Sequence, residues 1–436
     1  MDCRFVSRLL GSVLLVVLLH PDLHAQTALQ LPEKLTLDDA IRLALQYHPS
    51  LRSAEAGIRS SKAILGQTES NLLPSVNLTA GGSRIDGYFV FNPNFPSRKQ
   101  SYNSYTAAIQ AEQVVFDFSK TWSRVSANKS GVEVSEFDFE SMRDAVVTNV
   151  QLAYFQVIKA LRVVDVDSQT VDQAEKHLAQ VRAFYQVGKR PQFDVTRGEV
   201  DLANARVNLI SARNQLQVSN VQLENDMGVQ SISDFAVVDT FKIEPFDVPL
   251  DSAEQIAVTR HPEILSAQAR LLENRAFVAA ARSQHLPSLL ASGSYSWNGF
   301  EFPLQSRWNA GLTLSLPLFQ GFGISAQVQQ AQANVDESQA AINALTQQIL
   351  LQVKEYYLGL KEAEQRIGAT RQLVDQAAEN LRLAEARYDS GVGSAIEITD
   401  ARTALSNADI VNIQALFDYE SALVLLRQAM GTTIHA

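Results

Sequence analysis

The chain has 436 residues, 46% of them hydrophobic and 19% charged, with a formal net charge of −10. That hydrophobic share excludes intrinsic disorder, and the single long apolar run, at the N-terminus, excludes a bundle of membrane helices of roughly 20 apolar residues each. The acidic balance argues against a nucleic-acid partner, which calls for a basic face.

Residues 1–25 read as a secretory signal. Arg4 and Arg8 precede an apolar run over 9–19, and Leu23-His24-Ala25 offers a small-residue cleavage site before Gln26. The run is too short to span a bilayer. The one cysteine, Cys3, falls inside the signal and ahead of the apolar run, which argues against a lipid anchor. The exported chain then has no disulfide, thiolate metal site or cysteine nucleophile.

Beyond the signal the sequence repeats itself. Leu37-Asp38-Asp39-Ala40, His48-Pro49 and Leu73-Pro74-Ser75 recur as Leu250-Asp251-Ser252-Ala253, His261-Pro262 and Leu286-Pro287-Ser288, all at an offset of 213 residues. Residues 37–76 and 250–289 share 14 identities over 40 positions. Farther on, Val171-Asp172-Gln173-Ala174, Tyr185, Gly188 and Met227-Gly228 match Val374-Asp375-Gln376-Ala377, Tyr388, Gly391 and Met430-Gly431 at an offset of 203. The change of ten residues places an insertion in the first copy, within the proline-rich segment 88–100. The expected organisation is a first repeat over about 26–232 and a second over about 233–436.

Each copy begins with helix and then switches period. Val76, Leu78 and Ala80, then Tyr105, Ala107, Ile109 and Ala111, alternate with polar residues, predicting strands over about 75–90 and 102–117. Leu289, Ala291, Gly293, Tyr295 and Trp297, then Trp308, Ala310, Leu312 and Leu314, predict strands over about 288–298 and 307–318. Such alternation fits either a half-buried soluble sheet or a transmembrane barrel wall. Export and the aromatic residues Tyr88, Phe89, Phe91, Phe95, Phe300 and Phe302 at the connections favour the barrel. A closed barrel needs about eight strands or more. Four therefore close only when shared among protomers, and three copies give twelve.

Long helices follow, over about 119–187 and 321–390. No proline occurs from Ser97 to Arg190 or after Pro317, and an interior proline costs a helix about 3 kcal/mol. The second follows a coiled-coil seam through Ile324, Val328, Ala331, Val335, Ser338, Ile342 and Leu345, then Ile349, Val353, Tyr356, Leu360, Ala363 and Ile367. Its register skips at Leu345–Ile349–Val353, a stutter that locally unwinds a supercoil. The first long helix follows the same seam through Val125, Val132, Phe139, Met142, Val146, Val150, Val157, Val164, Val171, Leu178 and Tyr185.

The duplicated helix–strand–strand–long helix–helix unit, the junction Leu316-Pro317-Leu318-Phe319 followed by Gly321 and Gly323, its counterpart Val115-Phe116-Asp117, and the turn segments 185–194 and 388–400 resemble the TolC-like outer-membrane efflux factors. The resemblance covers essentially the whole mature chain. It implies a mainly α fold with a small β part: a homotrimer whose 12-stranded barrel sits in outer-membrane lipid and continues into a long periplasmic α-helical barrel. It also implies docking of a periplasmic adaptor (membrane fusion protein) and an inner-membrane transporter of RND, ABC or MFS type. The function implied is the exit duct of a tripartite efflux or type I secretion system. The competing reading is a periplasmic coiled-coil adaptor or scaffold without a pore, which leaves the alternating strands idle.

By that resemblance the strand-to-helix junctions contain Phe116, Asp117, Pro317, Phe319 and Gly321, and the adaptor meets Tyr185, Gly188, Lys189, Arg190, Tyr388, Gly391, Gly393 and Ser394. The acids that constrict the pore match Glu397 and Asp400, with Asp194 opposite. In a trimer these make rings of like charge, which attract cations and raise carboxylate pKa values. The plainer account is that they are first-turn helix acids favoured by the macrodipole. Lys189-Arg190-Pro191 makes the first tip basic and stiff, and position 397 is glutamate where the pattern leads to aspartate; both depart from the family.

His48 and His261, each before a proline, read as structural rather than metal ligands. Asp165, Asp167 and Asp172 read as a solvated helix face. No Ser/His/Asp set, phosphate loop or HExxH is present, so no enzyme, cofactor or metal is expected.

Overall fold

The structure is a computed structural model that describes residues 34–89, 98–229, 235–239, 241 and 245–433. The expected signal and most of the expected insertion lie outside the described residues. The order is β1 (Lys34–Leu35), α1 (Leu37–Tyr47), α2 (Pro49–Glu69), β2 (Ser75–Phe89), β3 (Arg98–Phe116), α3 (Lys120–Gln186) and α4 (Gln192–Asp226). Then come β4 (Ala236–Val237), α5 (Leu250–Arg260), α6 (Pro262–Ser283), β5 (Ser288–Gly299), β6 (Gln305–Ser315), α7 (Gly323–Asp389) and α8 (Ala395–Ala429). The fold is mainly helical with few strands. α3 and α7 are 67 residues each, so each extends about 100 Å at 1.5 Å per residue.

The short helices start on local signals. Thr36 Oγ1 accepts the Asp39 N–H at 3.2 Å and the Asp39 carboxylate accepts back from the Thr36 N–H at 3.4 Å, a capping box for α1. His48 ends α1 and caps α2, its Nδ1 accepting the Ser50 N–H at 3.2 Å, while Pro49 takes the first helical position. His261 does the same for α6 through the Glu263 N–H at 3.3 Å. The two histidines are therefore caps. The left-handed Gly228 and Gly431 lie against these turns. A Cβ on Gly228 would meet His48 Cα at 2.7 Å, and one on Gly431 would meet His261 Cα at 2.9 Å.

α3 and α7 exchange partners along their length. Toward the tips α3 packs on α4 and α7 on α8, and α3 also meets α8; toward the sheet α2, α3, α6 and α7 pack side by side. The seam of α7 records the exchange: its positions from Val328 to Leu345 are half-buried, whereas Ile349, Val353, Leu360 and Ile367 are buried. Ile349 shares an apolar cluster with Ile264 of α6 and with Ala429 and Met430 at the end of α8. The stutter thus falls where α8 gives way to α6. In α3, Asp167 differs from expectation: it is buried rather than solvated, and burial raises its pKa.

A level of structure that periodicity does not announce ties the copies together midway. β1 pairs in parallel with β4, Leu35 opposite Val237. The buried Tyr154 hydroxyl of α3 donates to the carbonyls of Leu35 (3.1 Å) and Val238 (2.7 Å). Phe241 stacks on Phe155 at 5.6 Å, with the Arg162 guanidinium 4.8 Å from its ring.

β2, β3, β5 and β6 form one antiparallel sheet in that order. The register aligns Leu78, Ile109, Tyr295 and Trp308 across all four strands, and the next row aligns Asn77, Gln110, Ser294 and Asn309. One face is therefore apolar and the other polar.

Candidate functional site

Two regions of the protomer are unfinished, the sheet and the helical tips. On the sheet, Leu78, Tyr295 and Trp308 are 71%, 43% and 73% exposed, so none of the described residues covers the apolar row. A soluble sheet buries that face. β2 and β6 each keep one unpaired edge, and such edges are templates for pairing with another chain.

At the junctions below the sheet, Asp117 accepts the Thr121 N–H at 2.9 Å and so starts α3. Phe118 and Ser119 both adopt positive φ, as do Gly321 and Phe322 at the repeat-equivalent positions. A left-handed non-glycine residue costs roughly 1–2 kcal/mol, and here two in succession turn the strand onto the helix axis. The exposed Phe116 pairs edge-on with Phe118 at 4.8 Å, and Phe319 with Phe322 at 5.5 Å. The half-buried Pro317 and exposed Gly321 complete the second junction.

The tips close with left-handed glycine caps. The Gly188 N–H donates to the Tyr185 carbonyl and the Lys189 N–H to that of Phe184, both at 2.9 Å. Gly391 and Val392 repeat this on Tyr388 and Arg387. Gly393 is buried because the chain doubles back on itself: a Cβ there would meet the Tyr388 nitrogen at 2.8 Å. Ser394 then caps α8 through the Glu397 N–H at 3.3 Å. Pro191 takes the equivalent place before α4, with no side-chain cap.

The two tips are joined within the protomer. Val181 and Phe184 of α3 pack with Leu381 and Tyr388 of α7 and Ile398 of α8. The Arg190 guanidinium lies 4.0 Å from the Tyr388 ring centroid and donates to the Tyr388 carbonyl at 3.0 Å. Gln180 donates to Asp389 at 2.9 Å, and Thr399 to Asp201 at 2.7 Å. Tyr388 is 1% exposed and its hydroxyl has no hydrogen-bond partner among the described residues; burial pushes its pKa up, with Arg190 opposing. Its repeat mate Tyr185 is exposed, beside exposed Val187 and Phe193. Equivalent tyrosines thus have different surroundings: Tyr388 lies under Arg190, and Tyr185 lies open with Gly188 and Lys189.

The three expected gate acids also differ among themselves. Glu397 is half-buried, carries the α8 cap and pairs with Arg387 at 3.2 Å. Asp400 is exposed one helical turn on. Asp194 is half-buried in the first turn of α4. Sequence reasoning missed the cleft behind them, of about 240 Å³, whose lining includes His177, Gln180, Glu385, Asp389 and Arg402. His177 is adjacent to the seam residue Leu178, which was the only available signal.

An uncovered two-faced sheet standing on a helical column about 100 Å long is the architecture of an outer-membrane channel. The sequence pattern of the outer membrane efflux protein family matches residues 40–229 and 254–432. The chain belongs to that family. It is 24% identical over 409 residues to outer membrane protein TolC of Escherichia coli (strain K12), covering 88% of this chain and 80% of TolC. It is 26% identical over 418 residues to the alkaline protease secretion protein AprF of Pseudomonas aeruginosa, covering 91% of this chain and 84% of AprF. The crystal structure of the Campylobacter jejuni CmeC outer membrane channel superposes with a TM-score of 0.80 at 22% identity, over 91% of this chain and 86% of that one. Among the described residues no helix is long and apolar enough to cross a membrane.

Proposed function

We propose that this protein is the outer-membrane exit duct of a tripartite efflux or type I secretion system, working as a homotrimer. Three copies of the four-stranded sheet join edge to edge, β6 of one protomer against β2 of the next, into a 12-stranded barrel. Because the four strands alternate in direction, every such junction is antiparallel and the ring closes without a mismatch. The apolar row faces outer-membrane lipid and the polar row faces the lumen. The helical columns of the three protomers form a periplasmic tunnel, and the internal repeat, over residues 26–232 and 233–436, supplies two helical hairpins per protomer.

A periplasmic adaptor docks at the exposed tip residues Tyr185, Gly188, Lys189, Gly391 and Ser394, and an inner-membrane transporter of RND, ABC or MFS type loads the cargo. The similarity to a protease secretion protein supports the secretion use, and membership of the outer membrane efflux protein family supports the efflux use. Passage needs no chemistry from this chain. Asp400 contributes an acidic ring at the mouth, with Glu397 and Asp194 behind it.

The observation that carries the reading is the uncovered apolar face between two free strand edges. Protein extracted from outer membranes is expected to run as a heat-modifiable trimer and to conduct ions in a planar bilayer. A soluble monomer would favour the scaffold reading instead.

A further inference from the structure

One buried titratable group at the tips takes no part in the duct as described above. His177 of α3 is 5% exposed, in the cleft where the first hairpin meets the second. Its ring lies 5.6 Å from that of Tyr388, inclined at 60°. Neither imidazole nitrogen has a hydrogen-bond partner among the described residues. Around it stand Lys176 and Gln180 of α3, Asp201 of α4, Glu385 and Asp389 of α7, and Arg402 of α8. Arg190, beyond the Tyr388 ring, adds a second guanidinium.

Each carboxylate near the imidazole already accepts a hydrogen bond from another partner. Asp389 accepts from Gln180, Asp201 from Thr399, and Glu385 from Arg402 at 3.2 Å. A proton on the imidazole would be a buried charge beside Arg402 that the attraction of Asp201 and Asp389 offsets only in part, and such a charge is relieved by exposure to water. Separating the hairpins provides that exposure, since His177 is buried by their contact.

We propose that His177 is an acid-sensitive clasp: neutral, it lets the two hairpins of a protomer close on each other at the tips, and protonated, it drives them apart and opens the mouth. The inference rests on the reading of the tips as the mouth of a duct.

Burial, and then Arg402, lower the His177 pKa from 6.5 to about 4 in the closed arrangement. A separated hairpin returns it to about 6.5. The closed form then has its full stability above pH 6.5, loses it as pH falls through the interval down to about 4, and loses no more below. At pH 5.5 the ratio of separated to closed hairpins rises about tenfold over its value at pH 7.5.

The test uses the full chain in its assembled form, with spin labels at Val187 and Val392, both exposed at the tips. Doubly labelled protomers are diluted with unlabelled ones, so each distance is measured within one protomer. The ratio of separated to closed protomers should rise about tenfold between pH 7.5 and 5.5 in the parent protein and stay constant in His177→Gln and His177→Phe. Phe keeps a ring against Tyr388 but cannot take a proton. A parent protein without a pH response, or variants that respond as the parent does, would overturn the clasp. Bilayer conductance is read in parallel: distances that shift while conductance does not would preserve the clasp and remove the mouth reading.

Discussion

Arg190→Ala tests most sharply whether the tips of one protomer hold each other. Arg190 is the residue in which the first tip departs most from the second, since its repeat-equivalent is Gly393. It places a guanidinium 4.0 Å from the Tyr388 ring and an N–H 3.0 Å from the Tyr388 carbonyl. A cation–π contact at a partly exposed site contributes about 0.5–1 kcal/mol, and a hydrogen bond involving a charged group about 1.5–3 kcal/mol. Arg190 is half-buried, and water replaces part of both contacts. The combined effect on the closed arrangement is therefore about 1–3 kcal/mol, or 5–150-fold in the ratio of open to closed mouths. The assay is single-channel recording of the purified protein in planar bilayers. Arg190→Ala should raise the ratio of open to closed mouths by that factor. Arg190→Lys should fall between, because it keeps the charge but loses the planar fork. Tyr388→Phe should leave the open fraction near its parent value, since the phenol hydroxyl has no partner to lose. An Arg190→Ala channel indistinguishable from the parent would refute the tie between the tips.

Other substitutions test the frame and the acidic ring. Gly228→Ala or Gly431→Ala forces a Cβ within 3 Å of a histidine Cα at a positive φ. Overpacking and left-handed strain together should cost about 2–4 kcal/mol, read as a lower thermal midpoint of the helical signal. Gly359→Ala, with nothing within 4 Å, should leave that midpoint unchanged or raise it. Asp400→Asn should raise conductance and weaken cation preference more than Glu397→Gln does, because Glu397 is already paired with Arg387. The opposite order would make Glu397 the constricting acid.

Much of this architecture is legible in the sequence because its signals are local and repeated. Alternation marks the strands, the stutter marks where α7 changes neighbours, and glycines mark the tips. What stays hidden is what a buried face is buried against. Tyr185 and Tyr388 occupy the same seam position, yet one is open and the other lies under Arg190, because only the second tip receives a guanidinium from its neighbour. His177 and Asp167 look like ordinary helix residues until a second hairpin covers the former and burial removes water from the latter. The β1–β4 pair is two residues per strand, too short for any period to register, and it depends on the Tyr154 hydroxyl, 119 residues from Leu35. The paired left-handed residues at Phe118-Ser119 and Gly321-Phe322 are equally silent, since only one of the four is a glycine.

The most direct test of a barrel shared among protomers is oxidative crosslinking between the sheet edges. Cysteines are placed one on β2 (positions 77–81) and one on β6 (positions 309–313) of the same chain, and pairs are scanned for register. Only Cα atoms about 4.4–6.8 Å apart can bridge. The edges lie on opposite sides of the protomer's own sheet, so no bond forms within a chain. At the correct register the account predicts covalent dimers and trimers in outer-membrane preparations, with the ladder ending at the trimer because the ring has closed. Chains that remain monomeric at every register, or a ladder running past three, would contradict it.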